Sequence, residues 1–229
     1  MKLSIIIPVF NEKNTVETIL ARVKKIDLGT MEKEIIVVDD ASTDGSSAIL
    51  KNIPGILYLA HEKNLGKGAA IQTGLQRASG DILLIQDADL EYSPEEYPQL
   101  LEPILQGKAD LVYGSRFLGG PHRALFFWHY AGNKFLTFLC NIAADLNLTD
   151  METCYKVFKK SVADQIKLKS KRFGFEPEFT IKAARKGFRF YEVPISYDGR
   201  NYAEGKKITW KDGIAAIGII MKTRFCDRS

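Results

Sequence analysis

Ile82-Leu83-Leu84-Ile85-Gln86-Asp87-Ala88-Asp89 decides the fold. Four consecutive large apolar residues read as a strand covered on both faces, and the run breaks into two acids separated by one alanine. Upstream, Lys67–Ala78 carries a helical pattern. Before it lie three more short apolar, β-branched runs, at Leu3–Val9, Glu34–Val38 and Ile56–Ala60. Between them, Asn14 with Glu17 three residues later reads as a capped helix start, and Ser46–Lys51 as another helix. Downstream, Pro94 opens a helix and Leu111–Tyr113 is a fifth strand. Strands alternating with helices predict an α/β domain, a mostly parallel, Rossmann-like sheet with helices on both faces.

In such sheets ligands bind beyond the carboxyl ends of the strands. The residues that follow the first, second, fourth and fifth strands are Phe10-Asn11-Glu12, Asp39-Asp40, Asp87-Ala88-Asp89 and Gly114-Ser115-Arg116. The polar residues thus collect at one rim. Asp87 and Asp89, two residues apart on leaving a strand, can converge on one divalent cation, and hard oxygen ligands suit Mg²⁺ or Mn²⁺ bound together with substrate phosphates. The bland alternative is a solvated turn before Pro94. In Asp39-Asp40-Ala41-Ser42-Thr43-Asp44-Gly45 some residues serve as a helix cap, but capping leaves two adjacent acids at a strand end unexplained, and Asp40 suits a base or ribose. The loop His61–Gly68 (HEKNLGKG) lacks both the GxGxxG and the GxxxxGK[ST] spacing.

The second half is less regular. A long helix is expected over Ala124–Ala144, an edge or antiparallel strand in Phe188–Tyr197 where Pro194 favours the edge, and a terminal helix over Thr209–Phe225. The 229 residues carry a net charge of +4, with 26% charged and 45% hydrophobic residues, ordinary for a folded domain and no argument for nucleic acid. Lys and Arg are dense from Lys156 onward, which suits an anionic phosphate or membrane surface. Cys140, Cys154 and Cys226 form no CxxC pair, so neither a disulfide framework nor structural zinc is expected, and a reducing compartment is the simplest reading. The apolar run at the N-terminus is too short for a signal peptide. No segment is a clean membrane span: Ala124–Ala144 contains His129, Asn133 and Lys134, and Ile214–Met221 is short.

Taken together, these motifs resemble those of a family 2 glycosyltransferase with the GT-A fold. Those that carry the resemblance are Pro8-Val9-Phe10-Asn11-Glu12, Asp39 to Gly45, Asn64-Leu65-Gly66-Lys67-Gly68, Asp87-Ala88-Asp89, Gly114-Ser115-Arg116, Phe175-Glu176-Pro177-Glu178 and Glu192-Val193-Pro194-Ile195. The branch that the chain is most similar to is the dolichol- or polyprenyl-phosphate hexose synthases. The resemblance implies a catalytic domain over residues 1–207, followed by an amphipathic helix over 208–229. It implies that Pro8, Phe10, Glu12, Val38, Asp40, Asp87 and Ala88 hold the nucleotide, and that Asp89, with Asp87 and Glu91, holds Mg²⁺ or Mn²⁺. Arg116, Arg200 and Lys206 match basic positions that meet phosphates. In the acceptor region some relatives carry an arginine and a serine four apart, where this chain has His129 and Asn133.

The implied reaction moves a hexose, mannose from GDP-mannose or glucose from UDP-glucose, to a polyprenyl or dolichyl monophosphate with inversion. Such a phosphate is already an anion at neutral pH and needs positioning cations rather than a base. A sugar hydroxyl would need a base, for which Asp150 and Glu152 are the candidates. A sugar-nucleotide pyrophosphorylase lacks support, because its Gly-rich N-terminal loop is absent. A non-catalytic sugar-nucleotide-binding subunit fits poorly with an intact Asp87 and Asp89. The expected setting is the cytoplasmic face of a membrane. Leu125, Trp128, Phe135, Phe138 and Ile142 share one helical face, as do Trp210, Ile214, Ile217 and Met221, flanked by Lys206, Lys207, Lys211, Lys222 and Arg224. Such faces suit a membrane interface, core packing, or contact with a second copy or a transmembrane partner subunit.

Overall fold

The computed structural model describes residues 1–124, 126–201 and 210–227, without the side chains of residues 210 and 211. The expected phosphate-binding Lys206 lies outside the described residues, as do Leu125, Lys207 and the side chains of Trp210 and Lys211. The sheet has seven strands: β1 (Lys2–Val9), β2 (Glu32–Asp39), β3 (Leu57–Ala60), β4 (Ile82–Ile85), β5 (Leu111–Ser115), β6 (Lys156–Lys159) and β7 (Phe190–Pro194), in the order β3-β2-β1-β4-β6-β5-β7. β1 pairs in parallel with β2 and β4, β2 with β3, and β5 with β7, while β6 is antiparallel to both β4 and β5. Every residue from Leu3 to Val9 is buried, as a parallel strand covered on both faces requires. Ser4, the polar member, donates its hydroxyl to Glu34 and accepts from the Gly80 amide.

The helices are α1 (Val16–Lys25), α2 (Ser46–Lys51), α3 (Lys67–Arg77), α4 (Tyr97–Leu105, after a 3₁₀ turn at Pro94–Glu96), α5 (Phe127–Ala144), α6 (Lys160–Gln165), α7 (Phe175–Arg185) and α8 (Trp210–Phe225). α1 buries Val16, Ile19, Leu20 and Val23, a single stripe at helical spacing. α3 crosses β1 at Gly74, where a Cβ would come within 2.5 Å of Ile6 Cγ2. α8 packs on α5 and α7 through Ala216, Ile220 and Thr223.

Several elements add to or depart from the sequence expectation. α1 begins at Val16 with Thr15 in the cap position and no side-chain cap. The Glu12 carbonyl accepts the Thr15 and Val16 amides instead, so the expected Asn14–Glu17 capping box does not form. β7 lies at the sheet edge as Pro194 requires, but runs parallel to β5. The pattern does not announce β6, α6 or α7. β6 begins at a lysine buried to 0% exposure, whose Nζ donates to the Met151 and Thr153 carbonyls and sits 4.4 Å from the centre of the Tyr113 ring. α7 buries Glu176, Glu178 and Lys182 along with its apolar residues, so no amphipathic stripe marks it.

The reversed direction of β6 shapes the rim. Its N-terminal end lies level with the C-terminal ends of β4 and β5, so the segment Asp150–Cys154 arrives beside Asp87 and Arg116.

Candidate active site

The rim carries backbone strain. Asn11, Ala41 and Leu90, each just beyond β1, β2 or β4, are non-glycine residues at φ 52°, 59° and 64°. Such conformations persist where the surroundings fix them and cluster at functional sites. Asn11 is fixed by its amide donating to Ser42 Oγ and its side-chain oxygen accepting the Thr43 amide.

These turns open onto a cleft of about 330 Å³. Of the residues expected to hold a nucleotide, Pro8, Phe10, Glu12, Asp40, Asp87 and Ala88 line it; so do Asp89, Glu91, Arg116 and Arg200. Val38 does not. It is wholly enclosed within β2, paired with Pro8 and Leu59.

Asp40 is committed to architecture. It accepts the Leu65 amide (2.8 Å) and the Gly66 amide (2.7 Å), and His61 Nδ1 lies 2.7 Å away, so it fastens the loop before α3 to the end of β2. Gly66 has φ 98°, and a Cβ there would meet the Lys171 carbonyl at 2.5 Å, so glycine is required by both conformation and space. Asp39 beneath it is buried; burial opposes its ionisation, but hydrogen bonds from Ser42, Ser47 and Tyr58 outweigh that and hold it below the usual aspartate range.

Lys67, first residue of α3, reaches Asp87 Oδ1 at 2.9 Å and Glu176 Oε1 at 3.6 Å. Burial works against its charge, but Asp87 and Glu176 hold it protonated well above the usual lysine range. The sequence shows Lys67 only as part of a Gly-containing loop.

Asp89 accepts from the Glu91 amide (3.2 Å) and from Arg200 Nη2 (3.1 Å). Burial, then the neighbouring Asp87 and Glu91 charges, push its carboxyl up to about 7 despite Arg200. Arg200 also reaches Glu12 (3.1 Å) and Glu91 (3.4 Å), so one guanidinium serves three carboxylates. Glu91, expected as a further metal ligand, is spent on the 197–200 segment: it accepts from Tyr197 OH (2.8 Å) and the Arg200 amide (2.8 Å). Among the described residues, no group of three or more His, Cys, Asp or Glu side chains is arranged to hold a metal ion.

Arg116 makes a two-pronged pair with Asp150, Nε to Oδ2 at 2.6 Å and Nη2 to Oδ1 at 2.7 Å, and its amide donates to the same carboxylate. Its guanidinium lies 5.1 Å from the Tyr197 ring centre and 5.4 Å from that of Phe117. Asp150 is therefore no free base. Glu152 lines the cleft and is pushed up to about 8, by burial first and then by Glu176. A second cavity adjoins the cleft and shares Arg116 and Tyr197 with it. Its walls include Arg123, His129 and Asn133 among the aromatic side chains of Phe117, Phe126 and Tyr130. The expected acceptor positions His129 and Asn133 thus come together with Arg116.

The family model for glycosyl transferase family 2 matches residues 4–167. An undecaprenyl-phosphate mannosyltransferase of Micrococcus luteus is 32% identical over 243 aligned positions, covering 98% of this chain and 94% of that protein. A dolichol-phosphate mannosyltransferase of Pyrococcus furiosus is 30% identical over 212 positions, covering 90% of this chain and 59% of that longer protein. Among solved structures, a glucosyl-3-phosphoglycerate synthase from Mycobacterium tuberculosis, in complex with Mn²⁺, UDP and phosphoglyceric acid, superposes with a TM-score of 0.76 at 20% identity. That match covers 100% of this chain and 80% of that one. The same fold is seen there with Mg²⁺ and UDP, at a TM-score of 0.74. The architecture is GT-A, and with a family model spanning most of the sheet and both acidic strand ends, the chain belongs to glycosyl transferase family 2.

Proposed function

We propose that this glycosyltransferase moves a hexose from GDP-mannose or UDP-glucose to a polyprenyl or dolichyl monophosphate, inverting the anomeric centre. The observation that carries the reading is the junction at Arg116. On one side lies a cleft with paired acids and Lys67; on the other lies a cavity whose walls are aromatic but whose polar groups include Arg116, Arg123 and His129. An anionic headgroup on an apolar chain matches that second lining. A free sugar alcohol does not. The two candidate bases point the same way. Asp150 is locked to Arg116, and Glu152 at about 8 is protonated at neutral pH, so a nucleophile that arrives already ionised is the one this site suits.

The acids fit a divalent ion. Mg²⁺ and Mn²⁺ are commonly held by one or two carboxylates with substrate phosphates completing the shell, so a preformed cage of three is not needed. The crowding that lifts Asp89 to about 7 marks a place where positive charge is wanted. Asp87 and Asp89 would hold the ion, which supplies charge neutralisation for the diphosphate leaving group. Glu12 and Asp40 shape the nucleotide end, Asp40 by fixing the loop at Gly66. Arg200, shared among three carboxylates, would offer its guanidinium to the donor phosphates, and Lys206 follows six residues later in the sequence. Arg116 orients the acceptor phosphate for in-line attack.

Among the described residues no helix is long and apolar enough to cross a membrane. With such an acceptor the enzyme would work at a membrane surface, and the cytoplasmic face is the setting that we propose for it. The test is to incubate purified protein with Mn²⁺ or Mg²⁺, each labelled donor and a polyprenyl monophosphate. Metal-dependent label in the lipid phase is expected. Transfer only to sugar hydroxyls would overturn the acceptor class, and donor binding without any transfer would favour a binding subunit.

A further inference from the structure

Two oxygen atoms lining the cleft are buried and lack any hydrogen-bond partner: Glu152 Oε1 and Glu176 Oε2. A third such atom among the described residues, Glu96 Oε2, belongs to a side chain that does not line the cleft. Leaving a buried carboxylate oxygen unmatched is costly, and natural structures keep few of them. Glu176 is 4% exposed and stands in the first turn of α7, with its other oxygen 3.6 Å from Lys67. Glu152 sits in the segment that leads into β6, where it feels the charges of Glu176, Lys156, Arg116 and Asp150. Neither residue is among those that the proposed function assigns to the nucleotide, the metal or the acceptor phosphate.

The chemistry of the two groups selects what can satisfy them. A carboxylate accepts hydrogen bonds, and a carboxyl that keeps its proton also donates one. A phosphate is itself an anionic acceptor and is repelled. A metal ion would face the Lys67 ammonium, 3.6 Å from Glu176 Oε1, and is repelled by it. A neutral ligand bearing several O–H donors is what remains. We propose that Glu152 and Glu176 form the subsite that reads the hydroxyl groups of the donor's hexose, an inference that rests on the transferase reading of the cleft.

The place agrees with the role. Both carboxylates open into the one cleft that holds Asp87 and Asp89 and that meets the acceptor cavity at Arg116, so a ring seated over them lies within reach of both ends of the reaction. The two are unequal in a way that suits hydroxyls, which donate and accept at once. Glu176 turns one oxygen toward Lys67 at 3.6 Å and leaves the other open to accept. Glu152, raised to about 8 by burial and by Glu176, carries a proton at neutral pH and donates as well as accepts. A buried polar group that is left unmatched by an analogue lacking one hydroxyl rejects that analogue strongly, so the pair also selects among hexoses.

The experiment compares wild type, Glu176→Gln and Glu152→Gln in the presence of Mn²⁺. Binding of GDP and UDP is measured by calorimetry, and donor KM and kcat are measured for GDP-mannose, UDP-glucose and monodeoxy analogues of whichever is turned over. The expected result is nucleoside diphosphate affinity unchanged within about twofold and a donor KM raised roughly tenfold or more in Glu176→Gln. The penalty that wild type shows for one missing hydroxyl should also vanish in the matching variant. Unchanged donor KM and an unchanged deoxy penalty in both variants would mean that the oxygens hold only water, and would overturn the subsite while leaving the transferase reading intact. Loss of nucleoside diphosphate binding together with a lowered melting temperature in both variants would make the carboxylates structural and overturn it as well. Failure of wild type to bind any nucleotide sugar would sink the function and the subsite together.

Discussion

Asp89 and Asp150 are both acids at the rim, yet the structure gives them opposite stakes. Burial and then the neighbouring Asp87 and Glu91 hold the Asp89 carboxyl up at about 7, a crowding that the proposed cation would relieve. Asp89→Ala should therefore abolish metal-dependent turnover while leaving the melting temperature level or slightly raised, readable by a transfer assay beside a thermal melt. Retained activity with Mn²⁺ would refute the metal assignment. Asp150 is 0% exposed and answers Arg116 with both oxygens. Asp150→Ala leaves a buried guanidinium unpaired and should cost about 3–5 kcal/mol in chemical denaturation, because breaking one half of a buried pair strands the other charge. Activity measured on the folded fraction should fall too, as Arg116 loses its orientation. The acid pair at Asp87 and Asp89 is legible in sequence because it sits two residues apart after an apolar run. The Arg116–Asp150 pair spans 34 residues and is not, and Asp150 consequently reads there as a base. Val38 reads as a nucleotide contact only by resemblance, and its side chain is sealed inside β2.

Between elements, the sheet is stapled by polar groups as well as apolar ones. Glu34 on β2 ties β1 to the turn before β4, accepting from Ser4, Lys2 and both the amide and hydroxyl of Ser79. Burial alone would push its carboxyl up, but those hydrogen bonds outweigh burial and hold it at about 2 against an ordinary 4.5. Because the folded value is the lower one, its stabilisation is complete above about 4.5 and is lost as the pH falls toward 2. Glu34→Gln should lower the melting temperature at pH 7, with the gap to wild type closing as the pH drops through that window. A gap that stays constant between pH 7 and 3 would show that the linkage is absent. At this scale the first half is readable: β4 and α2 fall where the apolar runs and turn residues put them. The second half is not, since β6 starts on a buried lysine and α7 buries its acids, which erases the two- and 3.6-residue periods that sequence reading depends on.

For the molecule as a whole, the unexplained surface is on α5 and α8. On α5 the side chains of Trp128 (81% exposed), Phe135, Phe138 and Ile142 face outward along the helix, opposite the buried Thr137, Cys140 and Ala143. On the adjoining α8, Ile214, Met221 and Phe225 are exposed opposite Ala216 and Ile220, with Lys222 and Arg224 exposed among them. Sequence periodicity finds these stripes but does not say whether they face the core, a second copy or a bilayer. The structure removes the core. Of the other two, a bilayer accounts for more. The aromatic cavity at Arg116 opens beside the first turn of α5, so a surface resting on lipid would present that cavity to an acceptor without lifting the acceptor's chain into water. Basic residues beside the apolar stripe suit anionic headgroups. The protein should then co-sediment with phosphatidylglycerol-containing vesicles, less so at high salt, and the double variant Trp128→Ser, Phe138→Ser should lose most of that binding. Its melting temperature should barely change, because neither side chain is buried. Transfer to a short-chain, water-soluble prenyl phosphate should survive in the variant while transfer to the vesicle-borne lipid falls. If vesicles are ignored and the same variant instead converts a dimer to a monomer in sedimentation velocity, the stripes join two copies of the chain, and the acceptor must reach Arg116 by another side.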